Sequence, residues 1–303
     1  MYDIIIVGAG PAGLTAALYA RRAEKSVLVL EKETFGGQIT YSPKVENYPG
    51  MLSVSGNELA EKLIEQVFSH GADVEPTDVT EVRDFGDRKI VTTTDGEYEA
   101  KAVIIAAGSK HRRLGLDREE SFIGNGISFC AICDGAFYKD KNVAVIGGGN
   151  TALQDSVLLS EGCRSVTIVQ NLATLTGEQK LINILVNRPN VNIIYNTVVE
   201  ALNGESELKS ISLSNTVTGE KTLLKVDGIF VAIGQVPENE PFTNVVSTDE
   251  RGYIISGEDC MTTTPGVFVA GDCRTKAIRQ VATAVSDGAI AALSAIKYID
   301  SIK

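Results

Sequence analysis

Two cysteines lie three residues apart in the segment Cys130-Ala131-Ile132-Cys133-Asp134-Gly135. This spacing is typical of zinc ligands or of a redox-active dithiol. A structural zinc site needs four ligands, and the sequence contains no second Cys-x-x-Cys or Cys/His pair to complete one. Thiol–disulfide chemistry is therefore the favoured interpretation, with no metal site. The other cysteines, Cys163, Cys260 and Cys273, are isolated and are expected to be small buried residues.

Asp134 directly follows the second cysteine. Disulfide exchange moves protons to and from thiols, and a carboxylate beside the pair could donate or accept such a proton. The same aspartate precedes Gly135 and therefore also fits an ordinary turn position. From the residues alone, both interpretations stay open.

A glycine-rich motif near the start of the sequence predicts a dinucleotide site. The motif Gly8-Ala9-Gly10-Pro11-Ala12-Gly13 follows a short apolar run and opens a helical pattern. Its glycines allow a tight turn, close approach of the backbone to a pyrophosphate, and close packing of helix on strand. The N-terminus of the helix presents free N–H groups to phosphates. Glu31 ends the next apolar run, where its carboxylate can accept hydrogen bonds from a ribose.

A second copy of this unit begins at Asn142 and aligns with the first without a gap. Its motif Gly147-Gly148-Gly149-Asn150-Thr151-Ala152 falls on the first glycine motif, and Gln170 falls on Glu31. An NAD site is expected to have Asp or Glu here, and an NADP site to have Arg nearby, but residues 170–179 contain no Lys or Arg. The second copy is therefore expected to keep the fold without its nucleotide. A second working nucleotide site is the alternative.

Short apolar runs that end at glycine recur along the chain, with helical patterns between several of them. They comprise residues 3–8, 102–108, 142–147, 228–234 and 266–271. This alternation predicts a doubly wound α/β fold, and 303 residues suggest two domains. Asp272 follows the last run and would lie at the carboxyl edge of a sheet, where ligands of such folds bind.

Composition excludes several classes of function. The net charge of -11 argues against nonspecific nucleic-acid binding, which needs a cationic surface. Only two histidines, His70 and His111, are present, so a three-histidine metal site is excluded. No apolar run approaches the roughly 18 residues of a membrane span, and no signal-peptide pattern precedes Ile4. A cytoplasmic protein without a membrane partner is expected.

In combination these segments resemble the low-molecular-weight thioredoxin reductases, a family of flavoproteins, over essentially the whole chain. The matching segments are GAGPAG at Gly8, GGQ at Gly36, ENYPG at Glu46, CAICDG at Cys130, GGGNTA at Gly147, FVAIG at Phe230, GVFVAGD at Gly266 and RQVATA at Arg279. The resemblance implies two Rossmann-like, three-layer α/β domains, the second inserted into the first. Residues 1–112 and 242–303 would bind FAD, and residues 113–241 would form the central domain. It also implies a homodimer.

The resemblance assigns a role to each matching residue. FAD would be bound by Gly8, Gly10, Pro11, Ala12, Gly13, Glu31, Gly37, Gln38, Asn47, Gly271, Asp272, Arg279 and Gln280. Cys133 would face the flavin ring, exchange electrons with it and form the charge-transfer thiolate. Cys130 would attack the disulfide of thioredoxin, and Asp134 matches the acid–base aspartate of the family.

One departure from the family pattern concerns the electron donor. Members that use NADPH carry an HRR run and a further arginine, where this sequence has Gln170-Asn171-Leu172 and Thr176. The sequence looks like relatives from anaerobes that keep FAD and the dithiol but accept electrons from reduced ferredoxin. Electrons would then pass from ferredoxin through FAD and the cysteine pair to thioredoxin. The alternatives are an NADPH- or NADH-dependent reductase, an FAD-based redox sensor or binding module without turnover, and an oxygen-reducing flavin oxidase.

The basic cluster Lys110-His111-Arg112-Arg113 allows two interpretations. It could dock an acidic ferredoxin, because complementary charges steer association. The favoured interpretation is a solvated linker between domains.

Overall fold

The computed structural model describes residues 1–42 and 44–302, which form two compact units. Unit 1 comprises Met1–Lys110 and Val236–Lys303, and unit 2 comprises His111–Gln235. Unit 2 is therefore inserted between the two segments of unit 1. The boundaries expected from the sequence, 112/113 and 241/242, lie slightly later than these.

The strands are, in chain order, β1 (Tyr2–Val7), β2 (Val27–Glu31), β3 (Asp73–Pro76), β4 (Val79–Asp84), β5 (Lys89–Thr93), β6 (Glu97–Ile105), β7 (Ser109–His111), β8 (Ile127–Ser128), β9 (Asn142–Ile146), β10 (Ser165–Val169), β11 (Val191–Ile194), β12 (Thr197–Gly204), β13 (Leu208–Asn215), β14 (Lys221–Lys225), β15 (Gly228–Val231), β16 (Gln235–Pro237) and β17 (Val267–Val269). The α-helices are α1 (Pro11–Arg22), α2 (Gly56–Ser69), α3 (Glu119–Phe122), α4 (Ala131–Asp134), α5 (Asn150–Gly162), α6 (Gln179–Leu185) and α7 (Val281–Ser301). Short 3-10 helices span Gly37–Tyr41, Gly135–Tyr138, Glu240–Phe242 and Gly271–Cys273.

The seven-stranded sheet of unit 1 has the order β3-β2-β1-β6-β5-β4, with β17 also paired to β6. Strands β2 and β6 run parallel to β1 on either side, and antiparallel β5 and β4 extend the sheet. β6 has nine residues, so its first half pairs with β5 and its second half with β17. Ile4, Ile5 and Ile6 of β1 are fully buried because both faces of the sheet are covered.

Helices α1 and α7 pack together against the face of this sheet that carries Ile4 and Ile6. Their contact surface consists mainly of small residues, which lets the two backbones approach closely. Gly288 of α7 is the tightest point, since an added Cβ there would lie 2.1 Å from the backbone oxygen of Ala12. The opposite face of the sheet packs against Phe242, Val245 and Ile254.

Unit 2 repeats the same arrangement around a parallel sheet of order β11-β10-β9-β15-β8. The elements β9, α5 and β10 correspond to β1, α1 and β2 of unit 1. A separate antiparallel sheet, β12-β13-β14, packs on the other face of the parallel sheet through Leu202, Ile211 and Leu213. The predicted α/β class with two Rossmann-like units is confirmed. No helix in residues 1–42 and 44–302 is long and apolar enough to cross a membrane.

Replacing Gly288 by Ala is expected to destabilise unit 1 because the new methyl group would collide with the first turn of α1. Overpacking of this kind costs about 1–3 kcal/mol of unfolding free energy. Urea unfolding followed by far-UV circular dichroism at a fixed FAD concentration measures the change. Gly162→Ala is the matched control, since an added Cβ at this helical glycine has nothing within 4 Å. Equal stability of the Gly288→Ala variant and the unmodified protein would contradict the packing argument.

Candidate active site

Cys130 and Cys133 form a disulfide in unit 2, with their Cα atoms 5.3 Å apart. Cys130 is the N-cap residue of the short helix α4, and the backbone N–H of Cys133 donates to Cys130 Sγ at 3.2 Å. Both cysteines are half-buried, whereas Ile132 between them is 62% exposed. A backbone donor aimed at a sulfur stabilises negative charge there, so the same contact favours a thiolate at Cys130 after reduction.

Asp134 lies in the last position of α4, and its backbone N–H donates to the carbonyl of Cys130 at 3.0 Å. Its Oδ2 accepts a hydrogen bond from Ser128 Oγ at 2.6 Å. Its Oδ1 is buried and has no hydrogen-bond partner among the residues that the structure describes. Burial raises the pKa of Asp134 and outweighs the hydrogen bond from Ser128, which lowers it. A carboxyl group of this kind beside a dithiol can hold and transfer a proton.

The remaining cysteines are buried free thiols, as the sequence predicted. Burial raises the pKa of Cys260 to about 11 and that of Cys273 to about 12. Because the thiolate is the reactive form, these residues are chemically quiet near neutral pH.

The first glycine motif forms a tight turn between β1 and α1. Gly8 has a φ of 106°, and a Cβ added there would lie 2.3 Å from the backbone oxygen of Ala106. A Cβ at Gly13 would lie 1.9 Å from the backbone oxygen of Gly8. Gly10 is the N-cap residue of α1 and Pro11 its first residue, with open space beside Gly10. The turn leaves the N-terminal N–H groups of a twelve-residue helix available for a pyrophosphate.

Glu31 lies beside this turn at the end of β2. Its Oε2 accepts from the backbone N–H of Ala9 at 2.7 Å, and its Oε1 accepts from that of Glu33 at 2.8 Å. The carboxylate lines a cleft that also includes Gly8, Thr77 and Asp78. A carboxylate has further lone pairs that could accept from ribose hydroxyls, and the role expected for Glu31 stays a prediction. Thr77 and Asp78 were not identified from the sequence, because they lie in a loop without a recognisable motif.

Two other segments of unit 1 reach the first turn of α1. A Cβ at Gly37 would lie 3.2 Å from the Cα of Gly10, and one at Gly271 would lie 2.9 Å from the Cβ of Ala12. The structure therefore brings the glycine motif, Gly37 and Gly271 together, although they lie far apart in the sequence. Gln38 follows Gly37 in the 3-10 helix Gly37–Tyr41.

The predicted residues near the C-terminus of the chain also form contacts within unit 1. Asn47 Nδ2 donates to Gln280 Oε1 at 3.2 Å, and Gln280 caps α7. Arg279 Nε donates to the backbone oxygen of Asp272 at 3.3 Å. Asp272 Oδ1 is buried without a hydrogen-bond partner in the described part of the chain, and burial raises the pKa of Asp272. A buried acceptor that lacks a donor is what a polar ligand such as a flavin would complete.

Asp287 was not predicted from the sequence, and it holds the Gly271 turn in place. Its Oδ2 accepts from the Gly271 N–H at 3.1 Å, and Arg274 binds both carboxylate oxygens at 2.9 and 3.2 Å. Lys276 Nζ also donates to Oδ2 at 2.9 Å. These cations and hydrogen bonds lower the pKa of Asp287 against the opposing effect of burial. The sequence signal that could have identified Asp287 is its position as an acidic residue within an otherwise apolar helical segment.

The second glycine motif keeps its turn but not its acidic partner. Gly147 has a φ of 126°, and a Cβ there would lie 2.5 Å from the backbone oxygen of Ala232. Gln170 is only 3% exposed and its side chain lies against Gly148. Its Nε2 donates to the backbone oxygen of Thr174 at 2.9 Å. The side chain that corresponds to Glu31 is therefore already engaged within the protein.

Comparison with known proteins identifies relatives over the full chain. A family model described as pyridine nucleotide-disulphide oxidoreductase matches residues 2–288. A thioredoxin reductase of Listeria innocua is 41% identical over 304 residues, which cover 100% of this chain and 95% of that protein. The crystal structure of thioredoxin reductase from Streptococcus pyogenes has a TM-score of 0.95 at 38% identity and covers 99% of both chains. A ferredoxin-flavin thioredoxin reductase from Clostridium acetobutylicum has a TM-score of 0.54 at 29% identity, over 99% and 98% of the two chains.

The chain belongs to the thioredoxin reductase family. Thioredoxin reductases of this family bind FAD, so the predicted cofactor is confirmed. The geometry of unit 1 is compatible with this cofactor. It combines a glycine turn at a helix N-terminus, a carboxylate at the adjacent cleft, and a buried acceptor at Asp272.

Replacing Glu31 by Ala is expected to weaken FAD binding about ten- to a hundredfold, the loss typical of one or two hydrogen bonds to a charged group. Flavin fluorescence during titration of the apoprotein measures the dissociation constant. Gln170→Ala changes the corresponding position of the second copy and is expected to leave FAD affinity unchanged. If Glu31→Ala binds FAD as tightly as the unmodified protein, the assignment of Glu31 to the ribose is wrong.

Proposed function

We propose that this member of the family is a flavoprotein disulfide reductase that reduces thioredoxin through Cys130 and Cys133, with reduced ferredoxin rather than NADPH as electron donor. The observation that carries the disulfide chemistry is the cysteine pair with a backbone donor at Cys130 Sγ and a buried carboxyl group at the end of the same helical turn. Relatives that cover the whole chain are named thioredoxin reductases, which supports thioredoxin as the substrate.

In the proposed exchange the reduced Cys130 thiol gives its proton to Asp134, and Cys130 Sγ attacks one sulfur of the thioredoxin disulfide. That disulfide breaks, and its second sulfur leaves as a thiolate that takes the proton back from Asp134. Cys133 then gives its proton to Asp134 and attacks Cys130 Sγ, which breaks the mixed disulfide, and the released thioredoxin thiolate takes that proton from Asp134 to become a thiol. In sum, one dithiol is oxidised and one disulfide reduced by two electrons.

Unit 1 supplies the residues that would hold FAD. They surround the first turn of α1 and include Glu31, Gly37, the Gly271–Asp272 turn, Asn47, Arg279 and Gln280. When bound, FAD supplies a redox centre that can gain electrons singly and lose them as a pair. That property is required between a one-electron iron–sulfur donor and a two-electron disulfide.

The donor is inferred from the second glycine motif. Residues 170–179 provide no Lys or Arg for a 2′-phosphate, and Gln170 replaces the carboxylate that would bind a ribose. Gln170 has no carboxylate to accept from a ribose, and its amide N–H already donates to the carbonyl of Thr174. The name of the ferredoxin-flavin reductase from Clostridium acetobutylicum supports a ferredoxin donor in a related chain.

NADPH or NADH is the second candidate donor, favoured by the description of the matching family as pyridine nucleotide-disulphide oxidoreductases. A redox sensor or binding module without turnover is a further alternative function. The homodimer and the cytoplasmic location expected from the sequence stay predictions.

Two residues of the basic cluster 110–113 are less available to an acidic partner than the sequence suggests. Lys110 forms ion pairs with Glu33 and Glu238 of its own unit. Burial lowers the pKa of His111 to about 4, so its ring is neutral near pH 7. These contacts support the interpretation of the segment as a linker between domains rather than a docking surface.

Anaerobic mixing with each donor tests the proposed electron source. Reduced ferredoxin is expected to bleach the flavin absorbance, whereas NADPH and NADH leave it unchanged, because the second glycine motif lacks groups that bind their ribose and phosphate. Stopped-flow absorbance measures the rates. Rapid bleaching by NADPH without bleaching by ferredoxin would establish the second candidate.

Replacing Cys130 by Ser is expected to abolish thioredoxin reduction while flavin reduction by ferredoxin continues, since the nucleophile is lost and the flavin site in unit 1 is intact. Cys163→Ser, at a buried free thiol of the same unit, is the control and should retain turnover. Thioredoxin reduction is followed by the appearance of free thiols. Unchanged turnover in Cys130→Ser would exclude the exchange mechanism, and thioredoxin binding without turnover in the unmodified protein would indicate a sensor.

A further inference from the structure

Ser128 connects the cysteine pair to its neighbouring carboxyl group. It is the last residue of β8 and is only 5% exposed. Its Oγ accepts from the backbone N–H of Cys130 at 3.1 Å and donates to Asp134 Oδ2 at 2.6 Å. The Cys130 carbonyl is a second acceptor at 3.4 Å, but one hydroxyl carries one proton, and the shorter contact to the carboxylate is the stronger.

This hydroxyl belongs to a strand that pairs with the core of unit 2. β8 lies at the edge of the parallel sheet of unit 2 and pairs with β15, with Ser128 opposite Phe230. Phe230 is fully buried, so the strand end that carries Ser128 is fixed by the core. α4, by contrast, has only four residues and cannot by itself hold a side chain in one place.

We propose that Ser128 is a positioning residue for disulfide exchange, which holds one oxygen of Asp134 and leaves the other free to exchange a proton with the thiols. This inference rests on the proposed function, in which Asp134 is the acid–base group. Oδ2 is bound by Ser128, whereas Oδ1 is buried and has no partner within residues 1–42 and 44–302. The proton taken from Cys130 therefore has one defined acceptor atom, and the same atom returns it to the leaving thiolate.

The hydroxyl also sets the pH range in which this aspartate titrates. Donation from Ser128 stabilises the carboxylate and lowers the pKa of Asp134, against burial, which raises it. Removal of the hydroxyl is thus expected to raise the pKa of Asp134 further, by about one unit if the hydrogen bond has ordinary strength for a charged acceptor. Every kinetic step that depends on the protonation of Asp134 should shift to higher pH.

Other ionisable groups around α4 must be separated from this effect. Tyr138 in the following 3-10 helix has a pKa raised to about 12, mainly by burial, and Lys141 lies over its ring. Asp155 lies on α5, which packs against α4, and burial raises its pKa to about 7. Beside Phe129, His111 has a pKa lowered to about 4 and Arg113 stacks on the ring. Of these, Asp155 titrates nearest neutral pH and needs its own variant.

The test uses the FAD-loaded full chain, reduced with dithionite so that the result does not depend on the natural donor. The rate of a single turnover with oxidised thioredoxin is measured from pH 5 to 9. The limb of this pH–rate profile that disappears in Asp134→Asn is assigned to the titration of Asp134. In Ser128→Ala this limb is expected to move up by about one pH unit. Ser128→Thr should restore its position, and Ser128→Cys, a weaker donor, should give an intermediate shift.

Two controls define the interpretation. Ser121→Ala removes an exposed hydroxyl that donates to the carbonyl of Arg118, and it should leave the profile unchanged. In an Asp155→Asn background the shift caused by Ser128→Ala should persist. Superimposable profiles for Ser128→Ala and the unmodified protein, or no restoration by Ser128→Thr in a folded protein, would overturn the positioning role. A limb that survives in Asp134→Asn would instead refute the acid–base role of Asp134 in the proposed function.

Discussion

Unit 1 depends on close backbone approach around the first turn of α1. The carbonyl of Gly8 occupies the space that a side chain at residue 13 would need, with only 1.9 Å to an added Cβ. The carbonyl of Ala12 likewise excludes a side chain at Gly288 of α7, at 2.1 Å. Because backbone meets backbone at these points, strand β1, helix α1 and helix α7 are fixed relative to one another. The free N–H groups at the start of α1 are fixed with them, and so is the edge of the ligand site.

The two glycine motifs share a backbone conformation but differ in the side chain at the end of the following strand. Gly147 is held in the same positive-φ conformation as Gly8, and each would collide with a neighbouring backbone oxygen if it carried a Cβ. The difference lies in one side chain at the end of the second strand. Glu31 presents carboxylate oxygens that accept hydrogen bonds, whereas the Gln170 amide donates to its own loop. Packing requires the glycine conformation but does not constrain the side chain at the end of the second strand.

Local patterns in the sequence sufficed to predict the strands that carry the glycine motifs and the α/β class. Each of these strands is a continuous apolar run buried on both faces, followed by a glycine whose conformation other residues avoid. The antiparallel sheet β12-β13-β14 was not predicted. Its strands have one exposed face and weaker alternation, and their pairing depends on contacts with the core of unit 2.

The residues of the candidate site likewise fall into those that the sequence predicts and those that only the structure identifies. The cysteine pair and the glycine motif have fixed spacing and can be found by inspection. Ser128 and Asp287 cannot, because their function depends on which atoms their side chains meet after folding. Ser128 precedes Cys130 by two residues, but only the structure shows that its hydroxyl bridges the backbone of Cys130 and the carboxylate of Asp134.

The insertion of unit 2 has a consequence for synthesis on the ribosome. Residues 1–110 emerge first, yet their sheet lacks β17 and their helical layer lacks α7, both of which come from the segment after residue 235. Unit 2 is contiguous in sequence and can fold as soon as it has left the exit tunnel. The nascent first segment therefore exposes the face of α1 that α7 later covers. The Gly271 turn likewise belongs to the segment after residue 235, so it joins the first turn of α1 only after unit 2 has been synthesised.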